Sequence, residues 1–108
     1  MSDDGIDELF MDTVTVETYE GTGAYGDTWA DESEPVRCLR DESRRLVRDK
    51  HGEEVVSEAT ILAPLAAAAL FPPGSRVHLP GRVATVITCA RWDGEPLDLP
   101  SHTEVTVT

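Results

Sequence analysis

Asparagine and glutamine are missing from this chain altogether, and lysine occurs once, as Lys50, against eight arginines. That skew fits a GC-rich coding genome and says nothing of mechanism. Cations as a class are scarce: nine Lys and Arg face 21 Asp and Glu, for a formal charge of −12. A field of that sign repels DNA phosphate and anionic membrane alike, which argues against binding either through a basic patch. Cysteine is nearly absent too. Cys38 and Cys89 each lie in a β-like run beside small or apolar residues, the setting of a buried free thiol; a disulfide between them is permitted but not indicated. Long hydrophobic runs are lacking. The longest nearly apolar one, ILAPLAAAALF, has eleven residues and contains Pro64, well short of the roughly 20 that a membrane helix needs. The opening MSDDGIDELF has neither the basic nor the apolar region of a secretory signal, so synthesis and folding in a cytoplasm are expected.

What is present is a period of two. Thr13 to Tyr19 alternates, with Val14 and Val16 on one face and Thr13, Thr15 and Glu17 on the other, and PVRCLRD repeats the pattern less cleanly. After PPG come Arg76 to Leu79, a tight turn at Pro80 to Arg82, and the most β-like run of the chain, Val83 to Trp92. DGEP forms a further turn, and TEVTVT closes the chain as a strand with Val105 and Val107 on one side. The one helix expected is Pro64 to Leu70, about two turns long, begun by proline and stopped by FPPG; it is placed as a cap on one end of the core. The 108 residues, 40% apolar, suffice for one core. The expected fold is mainly β: a small single-domain barrel, SH3-like or sandwich-like, over 12–108, with one short helix and a protruding hairpin at 42–58. An acidic arm, 1–11, precedes it and offers Ile6, Leu9 and Phe10 for docking on a neighbour.

Several chemical motifs fail on inspection. GTGAYG is formally a GxGxxG, but the dinucleotide fingerprint must open a helix, and DTWADESEP follows instead; a flexible glycine-rich loop between two strands is the reading. His51, His78 and His102 have no close Cys or His partner, so no metal-ligand spacing exists. Ser101 and His102 are adjacent on a strand and point to opposite faces, which prevents a shared proton. With 21 carboxylates some pair must fall within catalytic range, so such a pair carries no information. The sequence argues for no catalytic residue, cofactor or metal, and hence for a protein that is not an enzyme.

RRLVRDKHGEEVVSEA, Arg44 to Ala59, is the informative stretch. DKHG fits a type I turn with Gly52 in the left-handed position, so that Asp49 faces Glu53 and paired residue numbers sum to 102. Arg48 then faces Glu54, Leu46 faces Val56 and Arg44 faces Glu58 on one side; Val47 faces Val55 and Arg45 faces Ser57 on the other, with Lys50 and His51 in the turn. Both faces mix charge with aliphatic side chains. A strand with one buried face segregates its apolar residues, and this one does not, so the hairpin reads either as a solvated two-stranded flap or as a protruding arm that completes its burial against another subunit.

In its order of features the chain resembles the head-to-tail stopper, or head-completion, proteins of long-tailed bacteriophages, particularly phages of actinobacteria. The features are the opening strand and the Gly-Tyr-Gly-Asp loop within DTVTVETYEGTGAYGDTW, the hairpin with V(x)D(xx)G(x)E, the PPGSRV lead-in and the final P(x)H(x)EV. The resemblance implies a homo-oligomeric ring beneath the portal and adaptor rings and above the tail terminator and tail tube. There it would close the filled head, retain the genome and offer the tail its docking surface, in the virion neck after assembly in the host cytoplasm. Packaged double-stranded DNA would pass through the channel without sequence-specific contact, and no membrane is involved. The resemblance also implies a plug formed by the segment between Asp41 and Ser57. Arg44 to Glu58 is accordingly expected to be the gate, mobile in the free protein and ordered across the channel in the ring. A tail terminator or other neck component is the near alternative. An acidic mimic of DNA that inhibits a host nucleic-acid-binding protein is the alternative of another class.

Overall fold

The computed structural model describes residues 12–92 and 102–108. The acidic arm with Ile6, Leu9 and Phe10, the DGEP turn and Ser101 lie outside the described residues. The strands are β1 (Asp12–Glu17), β2 (Tyr19–Gly23), β3 (Gly26–Trp29), β4 (Val36–Asp41), β5 (Arg45–Arg48), β6 (Glu54–Ser57), β7 (Ala59–Ala63), β8 (Arg76–Leu79), β9 (Arg82–Trp92) and β10 (His102–Val107). Six of them close an antiparallel barrel in the order β1-β4-β7-β10-β9-β8. The fold is therefore a barrel and not a two-sheet sandwich. The barrel is two three-stranded meanders, β1-β4-β7 and β8-β9-β10, joined along both seams. The remaining strands form two separate ribbons, β2-β3 inserted between β1 and β4, and β5-β6 inserted between β4 and β7.

Alternation decides what fills the interior. Val14 and Val16 of β1, Cys38 of β4, Ala59, Ile61 and Ala63 of β7, Val77 and Leu79 of β8, Ala84 and Val86 of β9, and Val105 and Val107 of β10 form one buried cluster with Phe71. A six-stranded barrel is narrow, which suits the three alanines in the cluster. Each fully buried Val, Ile or Phe contributes about 1.5 to 3 kcal/mol relative to exposure. Cys38 is enclosed here as a free thiol, as expected of it. Burial, with the Asp12 carboxylate adding to it, pushes its pKa up to about 11, so the group is inert at neutral pH.

The expected strand Thr13 to Tyr19 is broken at Thr18. There side chains replace the ladder: the Thr18 hydroxyl donates to the Leu70 carbonyl at 2.8 Å and the Tyr19 amide to Ser75 Oγ at 2.9 Å. The chain thus leaves the barrel wall and starts the first ribbon. The expected helix forms as a 3-10 helix, Leu65–Leu70, with Pro64 at its N-cap in extended backbone instead of at the first helical position. Six residues are two turns of a 3-10 helix, and the tight form suits a segment too short for a stable α-helix. Ala67 and Leu70 pack against the core, and Thr103 Oγ1 donates to the Pro64 carbonyl at 3.2 Å. The segment is thus held against the core and against β10.

β9 departs from simple alternation. Val105 pairs with Cys89 and Thr106 with Thr88, but Val107 pairs with Val86, which leaves Ile87 as one extra residue on β9. This β-bulge resets the parity of the strand: Ala84 and Val86 face inward before it, and Cys89 packs on the core after it. It also divides the work of β9. Residues 82–85 pair with β8, and 86–92 with β10.

Phe71, wholly buried where the 3-10 helix ends, is the largest side chain in the core. Phe71→Ala should lower the unfolding free energy by about 3 to 5 kcal/mol in urea titrations, the usual result of emptying an aromatic site that cannot collapse.

Candidate interaction surface

The β5-β6 ribbon has the register read from its sequence. Arg45 pairs with Ser57, Leu46 with Val56, Val47 with Val55 and Arg48 with Glu54, each pair summing to 102. Its turn is built as expected. The Gly52 amide donates to the Asp49 carbonyl at 3.0 Å, the Asp49 amide donates to the Glu53 carbonyl at 2.9 Å, and Gly52 takes φ +80°. Asp49 adds a side-chain brace, its Oδ1 accepting the His51 amide at 2.8 Å and the Glu53 amide at 3.0 Å. Along the outward face Arg44 lies 3.3 Å from Glu58 and Arg48 lies 3.8 Å from Glu54, with Leu46 and Val56 between them 65% and 44% exposed. These exposed ion pairs hold the face in register more than they add stability.

The inward face is different from the expectation. The ribbon pairs with no barrel strand, yet it does not stand clear of the barrel, and Val47 and Val55 are half-buried. Arg45 reaches across to Glu104 of β10 at 3.0 Å. Ser57 is wholly buried and donates its hydroxyl to the Ala59 and Val107 carbonyls, both at 2.9 Å, while the Glu58 amide donates to Val107 at 3.0 Å. The base of the ribbon is thereby fixed. Further out, Asp49, Lys50, His51, Val55 and Val56 close an open cavity of about 270 Å3 against Pro73, Gly74, Val86, Ile87 and Thr108. Ile87, turned outward by its bulge, is buried at 9% exposure although it lies outside the core cluster. The mixed faces seen in the sequence thus resolve into one face resting on the barrel's own outer wall and one left wet.

The segment read as a flexible glycine-rich loop is a second ribbon. Tyr19 pairs with Trp29, Thr22 with Asp27 and Gly23 with Gly26, leaving Ala24 and Tyr25 as the turn. Its root is an aromatic anchor. The Arg76 guanidinium lies 3.5 Å over the Trp29 ring, the Trp29 indole N–H donates to the Gly74 carbonyl at 2.8 Å, and the Tyr19 and Trp29 rings meet at 5.7 Å. Gly74 is required twice over: its φ is +97°, and a β-carbon there would lie 3.2 Å from the Tyr19 ring. Lys50 from the other ribbon sits 5.8 Å above Tyr19, so the two ribbons touch. Asp27 accepts from Thr22 and Tyr19, and these bonds, helped by Lys50, hold its carboxyl below the usual range. The expected absence of a dinucleotide helix after GTGAYG is met by a strand.

The histidines are dispersed. His51 is an exposed turn residue, His78 Nε2 lies 2.6 Å from Glu17, which also meets Arg76 at 3.5 Å, and His102 begins β10. Among the described residues, no group of three His, Cys, Asp or Glu is placed to hold a metal ion. Sequence reasoning missed the aromatic anchor and the outward Ile87. The first lies behind a register shift: Thr22 with Asp27 and Gly23 with Gly26 sum to 49, whereas Tyr19 with Trp29 sums to 48, so arithmetic at a constant register does not bring the two rings together.

Asp49 gives a test of the turn. Its carboxyl is held below the usual aspartate range, chiefly by the Glu53 amide and also by that of His51. A depressed carboxyl contributes stability that is present above the ordinary aspartate pKa and is lost as pH falls through the lowered one. The amide shifts of His51 and Glu53 should therefore hold steady until pH drops below the ordinary aspartate range, and Asp49→Ala should shift them at every pH. Titration of Asp49 at the ordinary value would show that its side chain does not brace the turn. Compared with known proteins, the chain matches no family model, and no curated protein or solved structure matches it.

Proposed function

We propose that this chain is a structural component of a tailed-phage neck, whose copies form a ring below the portal and adaptor, close the DNA-filled head and give the tail a surface to dock on. The observation that carries the reading is the β5-β6 ribbon. Its base is tied to the barrel through Ser57 and Arg45, its outer half rests over a cavity, and its wet face carries Leu46 and Val56. An element tied at its base, with an open cavity beneath its outer half, is suited to swing. Burying its two wet aliphatic side chains, Leu46 and Val56, in a ring would contribute about 1 to 3 kcal/mol per subunit at about 25 cal/mol per Å2, against the cost of ordering the segment. The balance is small enough to switch. A charge of −12 supports the same reading, because an acidic channel does not grip the phosphate backbone that slides through it. In this role the chain needs no catalytic group, metal or cofactor.

The same charge favours one other reading, an acidic mimic that occupies a basic nucleic-acid-binding host protein. The two part on location: a mimic is found with its target in the infected cell, and a neck component in purified virions. A tail terminator would be found on free tails and be missing from tailless filled heads.

Replacing Leu46 to Val56 by a short Gly/Ser linker should leave the barrel folded and bound to heads, because Ser57 and the core strands are untouched. Filled heads of this variant should lose their DNA before tails attach. Mutant heads that keep DNA as well as wild type would show that the ribbon is not the plug.

A further inference from the structure

The β5-β6 ribbon is held at two places, and the holds differ in kind. At its base the hold is multiple: Arg45 reaches Glu104 at 3.0 Å, the Ser57 hydroxyl donates to the Ala59 and Val107 carbonyls, and the Glu58 amide donates to Val107 as well. Between residues 46 and 56 the polar groups are spent within the ribbon. Arg48 donates to the Gly52 carbonyl and faces Glu54, while Asp49 accepts from the His51 and Glu53 amides. Among the described residues, the ion pairs, hydrogen bonds and ring contacts that leave this outer half come down to one, Lys50 over the Tyr19 ring at 5.8 Å.

The ring that receives Lys50 is itself fixed. The Tyr19 amide donates to Ser75 Oγ at 2.9 Å, its ring lies against Gly74 and meets Trp29 at 5.7 Å, and its hydroxyl donates to Asp27 Oδ1 at 3.0 Å. A phenol that donates to a carboxylate gains electron density in its ring, and the negative face of the ring is what attracts a cation. Asp27 stays anionic because bonds from Thr22 and Tyr19 hold its carboxyl below the usual range, with Lys50 adding to them. Lys50 and Gly74 also line the cavity beneath the ribbon, so the contact stands beside the space into which the ribbon is seated.

We propose that Lys50 is a latch: its ammonium, seated on the Tyr19 ring, holds the outer half of the β5-β6 ribbon down on the barrel wall, and its departure frees the ribbon to lift about the Ser57 base. Seating half-buries Val47 and Val55 and covers Ile87, so the latch adds one directed contact to a small apolar one. Either hold alone is weak, which keeps the lifted state within reach. As a control on the plug the latch rests on the neck reading; as a contact of the free chain it does not.

The test reads lifting as thiol exposure. In the full chain, Val55→Cys places a thiol on the half-buried inner face of the ribbon, and its rate of alkylation measures how often that face opens. Cys38, wholly buried, reports the barrel in the same sample, and the contribution of Cys89 is measured on the unsubstituted protein. Lys50→Met, which keeps an apolar stem and removes the charge, should speed alkylation at position 55 about two- to fivefold, the factor a cation–π contact carries at an exposed site. Cys38 should stay as slow as before. Lys50→Arg should restore the slow rate, because a guanidinium also stacks on an aromatic face. In a Tyr19→Leu background Lys50→Met should add nothing, since the ring it would leave is gone. An unchanged rate in Lys50→Met, or the same increase with and without Tyr19, overturns the latch. The latch and the neck reading fail separately: a chain present in virion necks whose free form shows no Lys50 effect overturns the latch alone, and a latched chain absent from virions overturns the neck reading alone.

Discussion

One surplus residue in β9 governs this molecule. Without the bulge at Ile87, alternation would carry Val86, Thr88 and Ala90 inward and leave Cys89 outside, and a single straight strand could not serve both β8 and β10 in the observed register. With it, β9 bends, its two halves serve different neighbours and the barrel closes. The same step turns an isoleucine outward onto a wall that would otherwise be wet. Burying that side chain from outside needs a cover, and the chain supplies one in the β5-β6 ribbon. The one bulge thus bears both on the closure of the core and on the wall against which the ribbon rests.

The second ribbon is held by different physics. Its root is fixed by a guanidinium stacked on an indole, by an indole hydrogen bond to a glycine carbonyl and by a phenol ring against the same glycine. Beyond that root glycine recurs at 21, 23 and 26, and a side-chain network of Tyr19, Thr22 and Asp27 accompanies the backbone pairing until the turn. A rigid base and a bare tip follow from composition alone. The meeting of Lys50 with Tyr19 joins the ribbons, so that the only lysine lies where the anionic ribbon begins.

Much of this was legible in the sequence, and the exceptions have physical causes. The 44–58 hairpin could be read residue by residue because a turn with a left-handed glycine fixes the register of both flanking strands. The period-two runs at 13–17, 36–41, 76–79 and 102–107 marked barrel strands because their inward faces are buried and their outward ones, Thr106 excepted, are more exposed. The bulge was hidden, since VATVITCARW is β-favourable at every position and nothing local says which residue is unpaired. GTGAYGDT was read as a loop because glycine weakens strands on average, whereas here Tyr19 and Trp29 supply the pairing from the root. The inner face of the β5-β6 ribbon could not be assigned either, as its partner, Ile87, is some thirty residues away and visible only once the bulge is known.

Because the six core strands pair all the way round, the barrel wall has no free edge. Among the described residues, the two ribbons are the strand pairs that lie outside that closed wall and keep main-chain donors and acceptors that another strand could use. The closed wall is in this way protected from indiscriminate sheet growth, and capacity for backbone recognition is concentrated at the ribbons' four short margins. Those margins pair with no core strand. Their length, charge and sequence are free to change from one relative to the next without disturbing the register of the wall that carries them.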